Sequence, residues 1–325
     1  KAKDTDVFNK VNRSLAIGRN ILIFGEGFTD DIPIRGLKPV KKGPIRMGFT
    51  ALEACNWEKK MYVCPMGINY TDRNTVGSEV VINYGQPICL NDYKEQFKEN
   101  GNKLINELTK KLEQDMQECV IYVRDKHWYS FLENTMQLTR KGYNHANHDD
   151  QIDLLDRLAY SKALATWINE NETEEKEAFV ALKKDMEAYF SLEKRMKVED
   201  RFVIAKEQPQ QLSRTKELLL VLTTWPFAIA EFLHGFIPYI LAKKVTEKIM
   251  KRKVFWGSVK MMLAKLIGSL YNIPIIIALT HYFLPHWSLG IVYFLIIAPS
   301  LWRISYAYVH WFNEYRLKGM MAKAD

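Results

Sequence analysis

The chain has 325 residues, of which 47% are hydrophobic, so it is long enough for two or three units and apolar enough to bury a core. Its formal charge of +8 comes from the last third, because residues 216–325 hold thirteen Lys and Arg against five Asp and Glu. Basic residues beside apolar segments favour membrane lipid over nucleic acid as a partner. Four scattered cysteines without a Cys-x-x-Cys pair argue against a zinc site or a disulfide framework.

Residues 1–125 alternate predicted helices and strands, which predicts an α/β domain with a sheet and flanking helices. The predicted helices cover residues 6–16, 44–54 and 102–118, and the predicted strands cover residues 20–24, 61–68, 79–84 and 119–123. The strand at 20–24 is β-branched and aromatic, and it ends at Gly25-Glu26-Gly27. We therefore predict a buried central strand that delivers a carboxylate to the edge of the sheet.

A basic loop follows this acidic turn. Lys38, Lys41, Lys42 and Arg46 lie around Gly43-Pro44, and proline is typical of the first turn of a helix, whose backbone N–H groups attract anions. The combination predicts a phosphate site. The alternative is an ordinary α/β loop, because a Gly-x-Gly turn and several lysines occur in many proteins of this class.

Three sequence blocks in this order resemble the glycerolipid acyltransferase family. The blocks are Phe24-Gly25-Glu26-Gly27-Phe28-Thr29-Asp30, Lys41-Lys42-Gly43 and Tyr62-Val63-Cys64-Pro65-Met66-Gly67. They are similar to the family's Phe-Pro-Glu-Gly-Thr-Arg-Ser-like block, its Lys-x-Gly helix start and its Val-x-Pro-like strand. The chain departs from the family where Gly25 replaces a proline and where Phe28-Thr29-Asp30 replaces Thr-Arg-Ser.

The resemblance implies an O-acyltransferase with a glycerolphosphate-acyltransferase-like sheet. It implies that Glu26 and Gly27 line the acceptor pocket, and that the cationic side chains of Lys41, Lys42 and Arg46 balance the phosphate charge. Thr29 either donates a hydrogen bond to the acceptor or caps the turn. The acceptor would be glycerol 3-phosphate or a lysophospholipid, and the donor an acyl-CoA or acyl carrier protein thioester. No metal or further cofactor is expected, because a thioester is already activated.

The family's catalytic His-x4-Asp block precedes its glutamate block, whereas no histidine precedes Glu26 here. The resemblance therefore implies the C-terminal half of a catalytic domain, with the catalytic histidine outside this chain. His145 and Asp150 have the same spacing but lie in a later polar loop. They are either a catalytic pair, since a carboxylate-held histidine can accept a hydroxyl proton, or part of a solvated helix cap.

Residues 126–215 are predicted to form a charged helical region, and residues 216–325 a basic, membrane-associated one. The apolar segment 218–242 is long enough to cross a bilayer but contains Glu231, His234 and two prolines. Because such groups are costly facing lipid, we predict that this segment lies in or against the interface. Residues 243–265 are predicted to form one amphipathic helix on the membrane surface, with a solvated linker helix as the alternative.

Residues 267–302 are predicted to form a membrane-associated helical hairpin. The segments 267–284 and 287–302 contain no Asp, Glu, Lys or Arg, and basic residues flank the pair. The positive-inside rule then puts both ends of the hairpin on the cytoplasmic side. A re-entrant hairpin and a buried soluble helix pair are the alternatives.

The family resemblance implies an acyltransferase of phospholipid biosynthesis that transfers a fatty acyl group from a thioester to a glycerol phosphate or lysophospholipid, and the apolar, basic last third predicts that it is membrane-bound. A non-catalytic module that binds membrane lipid or a partner, and that lacks the catalytic histidine, is the alternative.

Overall fold

The computed structural model describes residues 2–27, 35–73, 78–145, 147–171, 177–196, 214–283, 286–300 and 303–321. The chain divides into two compact units, Lys1–Ala188 and Tyr189–Asp325. This division differs from the predicted boundaries at residues 125 and 215, because the helices that follow residue 125 share a core with the end of the predicted α/β region.

Helices make up most of the described chain. They are α1 Ala2–Ala16, α2 Gly43–Ala54, α3 Lys94–Cys119, α4 Tyr129–Thr139, α5 Leu154–Asn171, α6 Glu177–Met196, α7 Thr215–Ile249, α8 Trp256–Phe283, α9 Trp287–Ser300 and α10 Arg303–Met321. The strands are β1 Tyr62–Val63, β2 Met66–Tyr70, β3 Val80–Tyr84 and β4 Ile88–Cys89. Short 3₁₀ turns cover Leu90–Tyr93, Lys126–Trp128 and Lys253–Phe255.

The four strands form two antiparallel pairs, β1 with β4 and β2 with β3. In the longer pair, Ile68 lies opposite Ile82. The polar side of this pair meets the end of α3, where the Asn69 and Asn83 side-chain amides both donate to the Cys119 carbonyl, at 2.9 and 3.1 Å. The predicted strands at 61–68 and 79–84 thus have counterparts, with the first divided in two. The larger sheet implied by the family resemblance stays a prediction.

Two of the predicted strands are wrong. Within the described residues, neither 20–24 nor 119–123 forms a strand, and the Leu22 and Phe24 side chains are exposed rather than buried. Val123 is buried, but its N–H donates to the Arg35 carbonyl in a loop, at 2.8 Å. A β-branched or aromatic run forms a strand only where a partner strand is available. In the second run, the Ile121 N–H donates to a side chain instead, Asn69 Oδ1 at 3.0 Å.

The first unit contains two apolar cores. The first lies between α2 and α3, where Phe49 is fully buried and its ring stacks on Phe97 at a centroid distance of 4.2 Å. The second lies among α4, α5 and α6, where Trp128 stacks on Phe179 at 4.4 Å. Only one side of α6 belongs to this core, because Phe179 is buried whereas Leu182 is half exposed.

The second unit is a set of packed helices with an apolar exterior. α7 packs against α8 and α10, and α9 packs against α8. In the described chain, two helical segments are long and apolar enough to cross a membrane, Thr215–Ile249 and Trp256–Tyr282. Only 17% and 6% of their most apolar windows are buried in the protein, whereas the core helix of a soluble protein would be mostly buried. These helices weakly favour membrane association.

The predicted surface helix at 243–265 is wrong as a single element. α7 continues to Ile249, a turn follows, and α8 starts at Trp256. The basic cluster Lys251–Lys253 therefore lies in and beside a turn between two antiparallel helices. The predicted hairpin corresponds to the end of α8 together with α9, although residues 284–285 and 301–302 lie outside the described chain. The 14 residues of α9 extend about 21 Å, which is shorter than a bilayer core of about 30 Å.

Candidate functional site

The acidic turn is a tight bend built on two glycines. The Gly27 N–H donates to the Phe24 carbonyl at 3.0 Å, and Gly27 has a φ of +70°, a conformation that favours glycine. Gly25 is buried, and a Cβ atom on it would lie 3.0 Å from Val40 Cγ1. The close approach of the residue-40 loop therefore explains a glycine at position 25.

Three hydrogen bonds hold the basic loop in place. The Lys41 N–H donates to the Gly25 carbonyl at 2.9 Å, and the Lys38 N–H donates to Glu26 Oε2 at 3.0 Å. From α3, Glu113 Oε2 accepts a hydrogen bond from the Val40 N–H at 2.8 Å. We call residues 25–27, 38–42 and Arg46 the cradle. Its acidic turn and its basic loop are one connected structure.

The cationic groups of the cradle are open to solvent. The Lys41 side chain crosses directly over Gly27, where a Cβ atom would lie 2.8 Å from Lys41 Nζ. Lys42 is the N-cap residue of α2 and makes no side-chain capping bond, and Arg46 follows it by four residues on the same helix. Lys41, Lys42 and Arg46 are exposed, and Lys38 is partly buried. The structure therefore brings five predicted site residues together: Glu26, Gly27, Lys41, Lys42 and Arg46. The sixth, Thr29, lies outside the described residues.

This arrangement is suited to an anion that carries hydroxyl groups. Lysine and arginine side chains at a helix N-terminus attract phosphate, and the helix dipole acts in the same direction. One Glu26 oxygen accepts from the Lys38 backbone N–H, so the carboxylate stabilises the loop that carries the lysines. The cradle contains no histidine, and the first histidine of the chain is His127. The cradle therefore offers no imidazole that could act as a general base.

The histidine loop forms a different pair from the one that the spacing predicts. Asp150 Oδ1 lies 3.2 Å from Nε2 of His148. The partner of Asp150 in this pair is therefore His148, whereas the spacing had pointed to His145. Burial and the nearby Arg157 guanidinium lower the pKa of the His148 imidazole, although the Asp150 carboxylate opposes the shift. Asp149 Oδ1 accepts from the Gln151 N–H at 3.0 Å, which is typical of an Asx turn.

Two functional contacts were missed by sequence reasoning. Glu113 lies on a charged helix and carries no signal that separates it from a solvated residue, yet it fixes the basic loop. Arg35 donates through Nε to Glu133 Oε1 at 2.7 Å and through its terminal nitrogens to the Tyr70 and Tyr143 carbonyls. It ties the loop that leads into the cradle to β2 and α4. Both contacts join residues that are distant in sequence, so no local pattern identifies them.

Within the ranges described above, no group of three or more His, Cys, Asp and Glu side chains is arranged to hold a metal ion.

Comparison with curated proteins finds acyltransferases. The chain is 33% identical over 113 residues to glycerol-3-phosphate O-acyltransferase 2 of Saccharomyces cerevisiae, an alignment that covers 34% of this chain and 15% of that protein. It is 25% identical over 169 residues to an uncharacterized acyltransferase of Schizosaccharomyces pombe, which covers 46% of this chain and 25% of that protein. The sequence is thus similar to acyltransferases. The aligned part spans a quarter or less of the length of these relatives.

No family model matches the chain, and no solved structure matches it.

Proposed function

We propose that the chain is part of a membrane-associated O-acyltransferase of glycerolipid synthesis, and that the cradle binds its phosphorylated acceptor. The observation that carries the proposal is the connection between the acidic turn and the basic loop, through the Glu26 bond to Lys38 and the Gly25 bond to Lys41. The similarity to a yeast glycerol-3-phosphate O-acyltransferase supports the reaction class. The acceptor is accordingly glycerol 3-phosphate or a lysophospholipid such as lysophosphatidate.

Each cradle residue has a role in this proposal. Lys41, Lys42 and Arg46 neutralise the phosphate, and the N-terminal amides of α2 face the same anion. Glu26 accepts a hydrogen bond from an acceptor hydroxyl with an oxygen that is not bonded to Lys38. Because Glu26 repels the phosphate, the acceptor is oriented with its hydroxyls toward the turn and its phosphate toward the helix.

The donor is an acyl thioester, carried by coenzyme A or acyl carrier protein. A histidine supplied from outside the cradle removes the proton of the acceptor hydroxyl, whose oxygen then attacks the thioester carbonyl and releases the thiol. The second unit associates with membrane lipid through its apolar helices, which supports an acyl-chain substrate. Basic residues at both ends of the 267–302 hairpin support a cytoplasmic location for these ends.

Direct acceptor binding tests the cradle separately from catalysis. We expect glycerol 3-phosphate to bind the full chain in a calorimetric titration and glycerol, which has no phosphate, to bind far more weakly. Replacing Lys42 by glutamate should weaken binding about tenfold to hundredfold, because a charge-assisted hydrogen bond contributes about 1.5–3 kcal/mol and the new carboxylate repels the anion. In an active acyltransferase that contains this chain, the same change should raise the acceptor KM.

Lys184→Glu provides the matched control, since Lys184 is also an exposed lysine of the first unit but lies on α6. It should leave glycerol 3-phosphate binding unchanged. Equal effects of the two charge reversals, or wild-type binding that does not distinguish glycerol 3-phosphate from glycerol, would contradict the cradle assignment. Membrane binding without acceptor binding would instead favour a non-catalytic lipid-binding module.

A further inference from the structure

The second unit buries polar side chains at the centre of its helices. Glu231 and His234 on α7 are only 1% and 4% exposed, and Asn272 on α8 is only 5% exposed. The apolar side chains of the same helices point outward; the exposed ones include Leu219, Leu222, Phe227, Ile229, Leu233, Leu266, Leu270 and Ile277. This pattern is the reverse of a water-soluble helix bundle, in which apolar side chains fill the interior.

His234 joins three helices. Its Nδ1 lies 2.5 Å from Asn272 Oδ1 on α8, and its Nε2 lies 2.7 Å from Tyr293 Oη on α9. The Asn272 amide nitrogen donates to the His234 carbonyl at 3.1 Å and to the Gly268 carbonyl at 2.9 Å. Glu231 lies one turn before His234 and within electrostatic range of Tyr293.

The two carbonyls fix the direction of every hydrogen bond. Since Asn272 Nδ2 faces two carbonyl oxygens, the amide cannot be reversed, and Oδ1 has to face His234 as an acceptor. Nδ1 of His234 therefore carries a proton. In the neutral imidazole Nε2 is then an acceptor, and the Tyr293 hydroxyl donates to it.

The resulting network leaves no position on the imidazole for a ligand. Both ring nitrogens are occupied by side chains of other helices, so a metal ion or a bound substrate would have to break one of the two hydrogen bonds. An exposed catalytic histidine, by contrast, keeps one nitrogen accessible to substrate. The geometry points to a role in holding helices together.

We propose that His234, Asn272 and Tyr293 form a hydrogen-bonded lock that fixes α7, α8 and α9 against one another within lipid. The proposal rests on the membrane association proposed above. In lipid there is no hydrophobic force that separates helices from their surroundings, so close packing and interhelical hydrogen bonds decide how helices assemble. Close packing is also present, because a Cβ atom on Gly290 of α9 would lie 2.0 Å from Thr280 Oγ1 of α8.

The lock can be tested by equilibrium unfolding of the full chain in mixed detergent and dodecyl sulfate micelles, followed by fluorophores on α7 and α8. His234→Ala and Asn272→Ala should each reduce the folded-to-unfolded ratio of the helix pair about threefold to twentyfold, the range for interhelical hydrogen bonds in membranes. The double variant should lose less than the sum of the two single losses, because both substitutions remove the same His234–Asn272 bond.

His281→Ala is the matched control, because His281 lies on α8 but is exposed, and it should change the ratio about twofold or less. Strictly additive losses from His234→Ala and Asn272→Ala would overturn the lock. So would a loss no larger than that of the control.

A measurement on the unaltered protein covers the case in which the variants fail to fold. With ¹⁵N-labelled histidine, Nδ1 of His234 should carry a proton, and an Nδ1 without a proton would overturn the assignment. Flotation with phosphatidylcholine–phosphatidylserine vesicles and glycerol 3-phosphate titration of the wild type report separately on the proposed function. If the wild type binds vesicles but the losses from His234→Ala and Asn272→Ala are additive, only the lock is contradicted. If the wild type does not bind vesicles, the membrane proposal is contradicted.

Discussion

The two units of the chain have opposite relations between polarity and burial. In the first unit, most of the buried side chains are apolar, such as Phe49 and Leu52, and most charged residues face outward, although Arg157 and Lys183 are buried. In the second unit, Glu231, His234 and Thr246 are buried while leucine, isoleucine and phenylalanine side chains are exposed. One polypeptide therefore contains one unit organised for water and another whose exterior suits hydrocarbon.

Because of this difference, we expect different forces to stabilise the two units. In water, removing apolar side chains from solvent stabilises a fold by about 25 cal/mol per Å². In lipid that term nearly vanishes between helices, so hydrogen bonds and close contacts take its place. Substitutions of the same kind should consequently have different effects in the two units.

The largest effect is expected in the apolar core of the first unit. Phe49→Ala removes a fully buried ring that stacks on Phe97, and it should lower the free energy of unfolding by about 3–5 kcal/mol in a urea titration. Leu155→Ala, at a leucine that is 60% exposed, is the control and should cost less than about 1 kcal/mol. Similar losses for both would show that the unit is not held by this core.

The second expected effect concerns the exterior of α7. Ile229 is 51% exposed near the middle of the apolar segment, so Ile229→Arg should disfavour membrane insertion by about 2.5–3.5 kcal/mol. Vesicle flotation would measure the loss. The same change at exposed Leu155 in the first unit should leave flotation unaffected, and equal flotation of wild type and Ile229→Arg would contradict a lipid-facing exterior.

A smaller effect is expected from a polar contact inside the first unit. Burial raises the pKa of the Tyr143 phenol, which therefore stays protonated at neutral pH and donates to the Asn69 carbonyl at 2.9 Å. Tyr143→Phe should destabilise the unit by about 1–2 kcal/mol in the same urea titration. Tyr84→Phe, at a tyrosine that is 67% exposed, should change stability by less than half of that amount.

The smallest expected effect is a pH dependence from His148. Because its pKa is lowered in the folded state, the unfolded chain binds a proton more readily, and stability falls as the pH drops below about 6.5. The loss is complete once the pH is below the folded-state pKa. Comparing wild type with His148→Gln between pH 8 and pH 5 by thermal unfolding should show a shallower decline in the variant. Identical declines would mean that His148 does not contribute.

Local sequence patterns were sufficient for most helices of the first unit. The apolar spacing from residue 6 to residue 16 predicted α1, and Gly18 follows it with a φ of +80°, as expected at a helix end. Pro44 predicted the start of α2 within one residue. These features depend on contacts within a few residues, which a sequence pattern contains.

The strands and the cradle depend on contacts between separate segments of the chain, which a local sequence pattern does not contain. The Ile21–Phe24 run has strong β propensity, but within the described chain it ends in a turn whose carbonyl at Gly25 bonds to the Lys41 loop. The grouping of Glu26 with the lysines was predictable because the acidic turn and the basic loop follow each other closely in the sequence. The anchoring by Glu113, from 73 residues beyond Val40, was not.

The polar residues of α7 show that the cost of a polar side chain in lipid depends on whether it faces lipid or another helix. Glu231 and His234 are expensive in lipid, and the sequence therefore predicted an interfacial segment. The structure places these side chains between helices, so they no longer argue against a crossing helix. The burial of these side chains depends on contacts with Asn272 and Tyr293, which lie on other helices and are therefore not part of any pattern within α7.

Helix α3 connects the β2–β3 pair to the basic loop, and the Cys119 carbonyl is the acceptor at the strand end of this connection. It accepts hydrogen bonds from side-chain amides on both β2 and β3. Six residues earlier on the same helix, Glu113 accepts a hydrogen bond from the backbone N–H of Val40 in the basic loop. One continuous helical segment therefore connects the β2–β3 pair to the basic loop. The position of the basic loop thus depends partly on two strands that are not themselves part of the cradle.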